Sequence, residues 1–531
     1  MAKENRTINL VREGAIDTYC SFRVETDLTY ENLCDKIAEK IANVCSNYYN
    51  SISKDLSSNI ADFIRDKEDS IMVKVNGERV ENTLKSETKS NCILGSQSRV
   101  TIDSTENGFK INVIPEAVNE FEKQTKVLKS DFETSEELYG NIFVSSHQRV
   151  TLPYFDIKLY NGASVRLNAT LYIFKNFVCV LRVSLPLIDI DASLLMNSNF
   201  NGCIDSSVDV FSIANNNSTD SMEEIIGIYL KMVYEISGVN QLFVNTNNLY
   251  NIILCDYDGM PKVVNQLSPN VEEDLYRIIA APICKIEGYS YEEEASKYIK
   301  EHSMGDNQVK YILSTINRCL SIVDKTIIDY NIDKAKEEIG IDSLSKENKS
   351  ELFKLIINSV RINVEYVFLI LMLKKMNNSY SFTKKNDTQD AIKSQTEYNK
   401  NKIFIAELQE ECYGTVREQL ATFEKMMPFY VNGDIANEKI QSIDKIILEN
   451  ESQKRGHLQR TIEIIGLMLA VIIGLPSIYD TVFFIREYFN FICIDIPVVS
   501  VKNFSLLIWL LLIAWLIWMI CKSRSLKNKN N

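Results

Sequence analysis

Histidine is almost missing from this chain. Among 531 residues there are three, His147, His302 and His457, far apart in sequence. That argues against a structural zinc site and against a histidine-dependent hydrolase, and leaves each as an ordinary surface or core residue. No two of the 12 cysteines form a CxxC pair. Scattered as they are, they read as small buried hydrophobes in a reducing compartment, not as a disulfide framework. Glycine (18) and proline (9) are sparse, so long helices meet few interruptions. There is no surplus of positive charge. The net charge is −13, spread along the chain, which argues against a general nucleic-acid binder, because phosphate binding needs a basic surface. Neither a GxGxxG nor a Walker A pattern occurs. The opening MAKENRTINLVREG lacks an apolar run, so no secretory signal is expected, and the first 460 residues are expected to stay in the cytoplasm.

What the sequence does have is two hydrophobic segments within its last 70 or so residues. Phe504 to Cys521 reads FSLLIWLLLIAWLIWMIC, 18 residues without a charge, near the lower limit for a helical span. It holds all three tryptophans, Trp509, Trp515 and Trp518. Lys522, Arg524, Lys527 and Lys529 follow at once, a basic flank that marks the cytoplasmic side. The other segment, about Ile462 to Ile485, is apolar but carries Glu463, Ser477 and Asp480. Lys454, Arg455, His457 and Arg460 precede it. Both ends of the pair are therefore expected on the cytoplasmic side, giving a helical hairpin in the cell inner (plasma) membrane.

Glu463, Gly466, Ala470, Gly474, Ser477 and Asp480 follow steps of three or four and form one stripe along a helix. Two uses fit a small and polar stripe. One is close packing against another helix; the other is lining a water-filled path, where a charge is tolerated. Pro476 adds a point of kinking. A single hairpin cannot enclose a pore, so a channel reading requires a cyclic homo-oligomer. The striped segment would then lie inside and the tryptophan-rich one would face lipid.

Upstream, Asn432-Gly433-Asp434 is a loop signal with Asp434 placed to cap a helix. From there to Glu487 the only proline is Pro476 and the only glycines are Gly456, Gly466 and Gly474, and Ile435, Ile440, Ile443 and Ile447 keep near-heptad spacing. One continuous helix of about 54 residues would run about 80 Å; a pair of helices broken at Gly456 is the alternative. Before it, Leu352 to Met376 and Glu397 to Met427 read as two antiparallel helices, with a polar, exposed stretch from Asn377 to Ser394 between them. The apolar run Tyr366 to Leu373 in the first of these is too short to span.

Residues 1 to 260 look mixed α and β. Val165 to Phe174 alternates as a half-buried strand. Lys175 and Asn176 turn the chain, and Phe177 to Leu187 forms a second strand. Ile142 to Ser145, Phe155 to Tyr160 and Asn251 to Cys255 are further candidates. Asn197 to Ser221 reads as a long polar loop, followed by a helix from Met222 to Ile236. Asp189 and Asp191 form a DxD at a strand end, where alternation would put both on one face. That leaves metal binding open beside a solvated strand end. Asp256 and Asp258 in CDYDG look like a hairpin turn, and Glu292, Glu293 and Glu294 begin a helix. None of these is an enzymatic signal, so no enzyme is expected.

The order of elements resembles the CorA family of divalent-cation channels, in architecture over the last 180 residues or so and more weakly before that. The resemblance implies an α+β cytoplasmic domain, long stalk helices and a two-helix transmembrane hairpin, assembled as a cyclic homo-oligomer, a pentamer. The expected division is 1–335 cytoplasmic sensor domain, 336–431 antiparallel helices, 432–460 stalk helix and 461–487 first membrane helix. An external loop at 488–503, a second membrane helix at 504–521 and a basic cytoplasmic tail at 522–531 complete it. The family's Gly-Met-Asn signature does not occur. The nearest stretch is Gly474-Leu475-Pro476-Ser477-Ile478-Tyr479-Asp480, so no filter residue carries over.

An enlarged cytoplasmic domain without the signature is similar to the membrane effectors of type III CRISPR systems. That likeness implies antiviral defence and a nucleotide second messenger made from S-adenosylmethionine and ATP. The expected function is a channel gated by its cytoplasmic domain, with a divalent cation as cargo, a nucleotide as ligand, and the lipid bilayer and copies of itself as partners. A membrane-anchored sensor or scaffold, with the hairpin only an anchor, is the alternative, and an anchored enzyme is a third reading.

Overall fold

The computed structural model describes residues 10–59, short strands between 63 and 115, and residues 145–196, 200–211, 213, 218–219, 221–261, 266–280 and 291–305. It also describes 309–314, 317–339, 346–379, 388–412, 414–428, 433–491 and 497–527. The fold is α+β: a large sheet domain followed by carboxy-terminal helices. Contacts group the chain into two compact units, Met1–Thr383 with Ser394–Ala436, and Lys384–Lys393 with Asn437–Asn531.

The first unit is organised by β1 (Leu10–Thr26), a 17-residue strand at the middle of an 11-stranded sheet. Helix α1 (Tyr30–Asn59) follows. Two small antiparallel sheets come next, β2 (Phe63–Asp66) to β4 (Glu78–Val80) around β3 (Ser70–Val75), and β5 (Ser90–Leu94) to β7 (Gly108–Pro115) around β6 (Ser98–Thr105). The main sheet resumes with β8 (His147–Leu159), β9 (Ser164–Phe174) and β10 (Val178–Asp191), an antiparallel meander that brings β10 back beside β1. The two strands expected from alternation at 165–187 are β9 and β10. Phe177 turns between them with a left-handed backbone (φ 62°). The expected strand at 155–160 is the end of β8. Most of the one expected at 142–145 lies outside the described residues.

A four-residue helix, α2 (Ala192–Leu195), leads to β11 (Ile204–Asp209) and β12 (Ser218–Thr219). The polar stretch 197–221 is therefore not one loop. Backbone pairing with β8, from Ile204 opposite Leu159 to Asp209 opposite Phe155, overrides its polar composition. The expected helix at 222 is α3 (Met222–Tyr234), capped by Ser221 Oγ, which accepts from Glu224 N at 3.2 Å.

Strand β13 (Val239–Val244) pairs with the end of β1, and β14 (Leu249–Tyr257) pairs with its middle. Asp258 and Gly259 (φ 81°) do form a turn after β14, but it is no hairpin. The chain goes on to α4 (Pro269–Ala280), α5 (Tyr291–His302), β15 (Ser303–Gly305) and β16 (Val309–Leu313) before β17 (Arg318–Val323) pairs parallel to β14.

Each face of the sheet has its own core. Along β1, Ile16, Cys20, Phe22 and Val24 join Leu33 and Ile37 of α1, Ile225 and Tyr229 of α3 and Leu275 of α4. Ala15 and Tyr19, at alternate positions, join the opposite core. That second core is built by α6 (Lys325–Ile339), α7 (Lys346–Ser379), α8 (Thr388–Glu410) and α9 (Gly414–Met426). The helices expected at 336–431 thus share the first unit's core.

Tyr366 to Leu373 of α7 is buried residue after residue, no side chain more than 1% exposed. A helix apolar all round has to be covered all round. Helices α7 and α8 run antiparallel, Tyr366 Oη donating to the Leu408 carbonyl (2.6 Å) and Asn377 Nδ2 to that of Tyr398 (3.5 Å). The single helix expected at 397–427 is two: Cys412 N turns back to the Gln409 carbonyl (3.2 Å), closing α8 before α9 begins.

Gly14 allows the central pairing. A Cβ there would sit 2.4 Å from the Ile253 carbonyl oxygen of β14. Because the obstacle is backbone, Gly14→Ala is expected to cost about 1–3 kcal/mol, read as a lowered urea midpoint at unchanged m-value.

The second unit contains α10 (Asp434–Phe491), a 58-residue helix continuous through Gly456 and Pro476, and α11 (Val498–Lys527). At 1.5 Å per residue α10 is about 87 Å long. The break between the two helices, 492–497, is shorter than the connection expected at 488–503. Among the described residues, one unbent helix is long and apolar enough to cross a membrane, at Val498–Trp515. It begins six residues before the segment expected at 504–521.

Candidate functional site

The expected stripe lies on α10, helical throughout. Glu463, Gly466, Ala470, Ser477 and Asp480 are exposed and Gly474 is half-buried. At about 100° per residue, the first five stripe positions, Glu463 to Ser477, fall within an arc of about 80°, and Asp480 lies about 40° beyond its edge. Thr481, which sequence reasoning missed, falls inside the arc. It is legible once the angles are summed instead of counting steps of three and four.

The hydroxyls on the stripe bond back to their own helix. Thr481 Oγ1 donates to the Ser477 carbonyl at 2.8 Å and Ser477 Oγ to that of Ile473 at 3.4 Å. Glu463 Oε1 accepts from Gln459 Nε2 at 3.3 Å. A Cβ added at Gly466 or Gly474 would meet no atom of the described residues within 4 Å. The smallness of these residues therefore serves no contact described within this chain. Around the stripe, Ile462, Ile465, Met468, Leu469 and Ile473 are exposed, as are Leu506, Leu507, Leu510, Leu511, Trp515 and Trp518 on α11. Apolar surface on this scale marks a membrane or protein contact in a native protein.

A second constellation, in the first unit, was not anticipated. It lies between the sheet and α7. Arg361 of α7 grips Asp17 of β1 with Nε to Oδ2 at 2.7 Å and Nη2 to Oδ1 at 2.9 Å, and Nη2 also donates to Ser184 Oγ of β10 at 2.7 Å. Arg361 Nη1 donates to Asn358 Oδ1. One turn along α7, Glu365 pairs with Arg182 of β10, and Arg149 Nη2 of β8 lies 3.9 Å from its other oxygen. Arg182 Nη2 donates to Thr170 Oγ1 of β9 at 2.9 Å. The Arg149 and Arg182 guanidiniums sit 5.6 and 5.8 Å from the centre of the Tyr172 ring.

Sheet order creates this cluster: Asp17 is opposite Ser184, and Tyr19 opposite Arg182, in the β1–β10 register. All the charges are buried. Burial alone would raise the Glu365 carboxyl, but Arg182 and Arg149, with the Tyr172 hydroxyl, outweigh it and hold it below the usual carboxylate range. Burial would likewise lower Arg361, and Asp17 more than offsets it. The cluster is sealed and its charges are paired with one another, so it positions elements and offers no accessible acid or base.

Arg318 of β17 is a second sealed guanidinium. Its Nη1 donates to the carbonyls of Leu195 (3.0 Å) and Ile278 (2.6 Å), and it lies 4.5 Å from the centre of the Phe200 ring. Burial pushes it down to about 10, against weaker opposing effects of Tyr250 and Cys203. It ties α2 and α4 to the sheet.

The Asp189–Asp191 pair sits at the end of β10, with Asp191 occupied as a helix cap. Asp189 takes a left-handed backbone (φ 50°), and Asp191 Oδ1 accepts from Ser193 N at 2.8 Å to cap α2. Asp258 is paired with Arg12, Oδ1 to Nε at 2.8 Å. Among the described residues no group of three His, Cys, Asp or Glu side chains is placed to hold a metal ion. Set against known protein families, characterised proteins and solved structures, the chain gives no match.

Proposed function

We propose that this chain is a membrane ion channel built from several copies, a pentamer, with α10 and α11 as its hairpin and the sheet unit as its gating domain. The observation that carries the reading is the exposed, small-residue stripe of α10 centred on Gly466, Ala470 and Gly474. Small residues let helix backbones approach closely, and here that space lies open. Copies of α10 packed around an axis would fill it and would place Glu463, Ser477 and Thr481 along the inner path, with Asp480 at its margin. The tryptophan-rich α11 would face lipid. Both termini of the hairpin would lie on the cytoplasmic side, given the basic residues that flank it.

Purified protein in liposomes is the test. We expect cation flux from loaded vesicles, altered at least several-fold by Ser477→Leu, which puts bulk into the path, and by Asp480→Asn, which removes charge beside it. The assay is run without ligand and with an S-adenosylmethionine–AMP conjugate, the ligand class implied by the CorA-like effectors. The reading predicts more flux with the conjugate or another nucleotide, because a ligand gates only by binding the open form better. Protein that stays monomeric in detergent at every concentration sinks the channel. Full biological activity with an unrelated hairpin in place of 461–521 would instead support the anchored sensor.

A further inference from the structure

Helix α7 bends by 44° between Ile362 and Val364, with Asn363 at the break. Kinks of this size come from proline, glycine or serine, from π-bulges, or from groups that intrude on the helix. The stretch Arg361-Ile362-Asn363-Val364-Glu365 contains no proline, glycine or serine. The charged residues nearest the break, Arg361 before it and Glu365 after it, are the two that carry charge into the sheet. Arg361 is drawn to Asp17 on β1, and Glu365, on the next turn, to Arg182 on β10. The bend is thus held from outside, by ion pairs that fix successive turns onto different strands.

The two sides of the bend are anchored differently. Beyond it, Tyr366 to Leu373 is covered on every side by apolar packing. Before it, among the described side chains, Phe353, Ile356, Ile357 and Val360 reach the core and Ile362 packs against it. The charged contact is also incompletely satisfied. The Tyr19 hydroxyl and Arg182 Nε are buried there without hydrogen-bond partners. A buried polar network with open valences adds less stability than apolar packing of the same shape, and its best-attested use is to fix register or to switch.

We infer that α7 is a charge-held hinge. The segment Lys346–Ile362 swings about Asn363 when the Asp17–Arg361 and Arg182–Glu365 pairs part, while Val364–Ser379 stays docked. Its role as the moving part of a gate rests on the channel reading; the hinge itself does not.

Hydrogen–deuterium exchange of the full-length protein in detergent micelles tests it. In Asp17→Asn and Glu365→Gln, amides of 346–362 are expected to exchange at least tenfold faster than in wild type, with those of 366–376 unchanged. Equal acceleration on both sides, acceleration of 366–376 alone, or no change at all overturns the hinge. Should either variant fail to fold, exchange of the wild type in rising urea replaces it. The hinge requires 346–362 to open at lower urea than 366–376, and simultaneous opening overturns it. Exchange reads no conductance, so a failure of ion flux in liposomes bears on the channel alone.

Discussion

Arg361→Ala is expected to destabilise the sheet unit by about 3–5 kcal/mol. The reason is what it leaves behind. Asp17 is wholly buried, and Arg361 supplies two of its hydrogen bonds. Truncation strands a carboxylate in the core, and the cost is that of an unpaired buried charge, larger than the worth of the pair itself. Asp17→Ala should be as damaging for the mirror-image reason. The double change Asp17→Leu with Arg361→Met removes both charges and should recover most of the loss, because apolar replacement of a buried pair is often neutral. Urea denaturation of the three variants makes the comparison. A double mutant no better than the singles would show that the pair is not what the singles lost.

The same network sets an acid limit. Glu365 is held below the usual carboxylate range in the folded unit. A carboxyl whose folded value lies below its unfolded one adds stability at neutral pH. That contribution fades as pH falls from the unfolded value through the folded one. Glu365→Gln should therefore flatten the acid side of the stability profile while lowering stability at neutral pH.

Phe368→Ala is expected to cost about 3–5 kcal/mol as well, through a different mechanism. Phe368 is fully buried, its ring edge-on to Tyr19 of β1 at 5.2 Å and to Phe423 of α9 at 5.7 Å. It joins the sheet, α7 and α9 in one contact. Removing it opens a cavity in a stretch where every neighbour from Tyr366 to Leu373 is already buried, so little collapse is available. Phe368→Leu, which keeps most of the volume, should cost much less. The ordering Ala worse than Leu in thermal or urea unfolding distinguishes packing from any effect of the nearby charges. If Phe368→Ala shifted the midpoint by less than about 1 kcal/mol, the cavity argument would fail.

Local pattern revealed much of this molecule. The alternation of Val165 to Ile173 located β9, and the short turn after it located β10. The scarcity of proline and glycine between Asp434 and Glu487 announced a long helix, which runs to Phe491. Steps of three and four drew the stripe from Glu463 to Ser477. Each of these signals spans a few turns or one strand, and one face of an element shows itself in the spacing of its own residues.

Other features were out of reach for the same reason. Polar composition hid β11, because its strand state depends on pairing with β8. Residue types alone could not show that Asp191 caps α2, because that role depends on where the chain turns after β10. The Asp17–Arg361 pair joins residues 344 apart. The sequence did carry half of it, since Arg361 and Glu365 are charges one turn apart within an apolar helix, a placement that demands partners. Which partners could not be read, because they are chosen by strand order, with β10 and β14 on either side of β1 and α7 laid across them. By itself, then, the sequence determined β9 and β10, the long helix α10 and the unequal polarity of α10 and α11. The tertiary structure alone decided that α7 is bent and held by buried charge, because ion pairing acts through space and strand order is set by the whole chain.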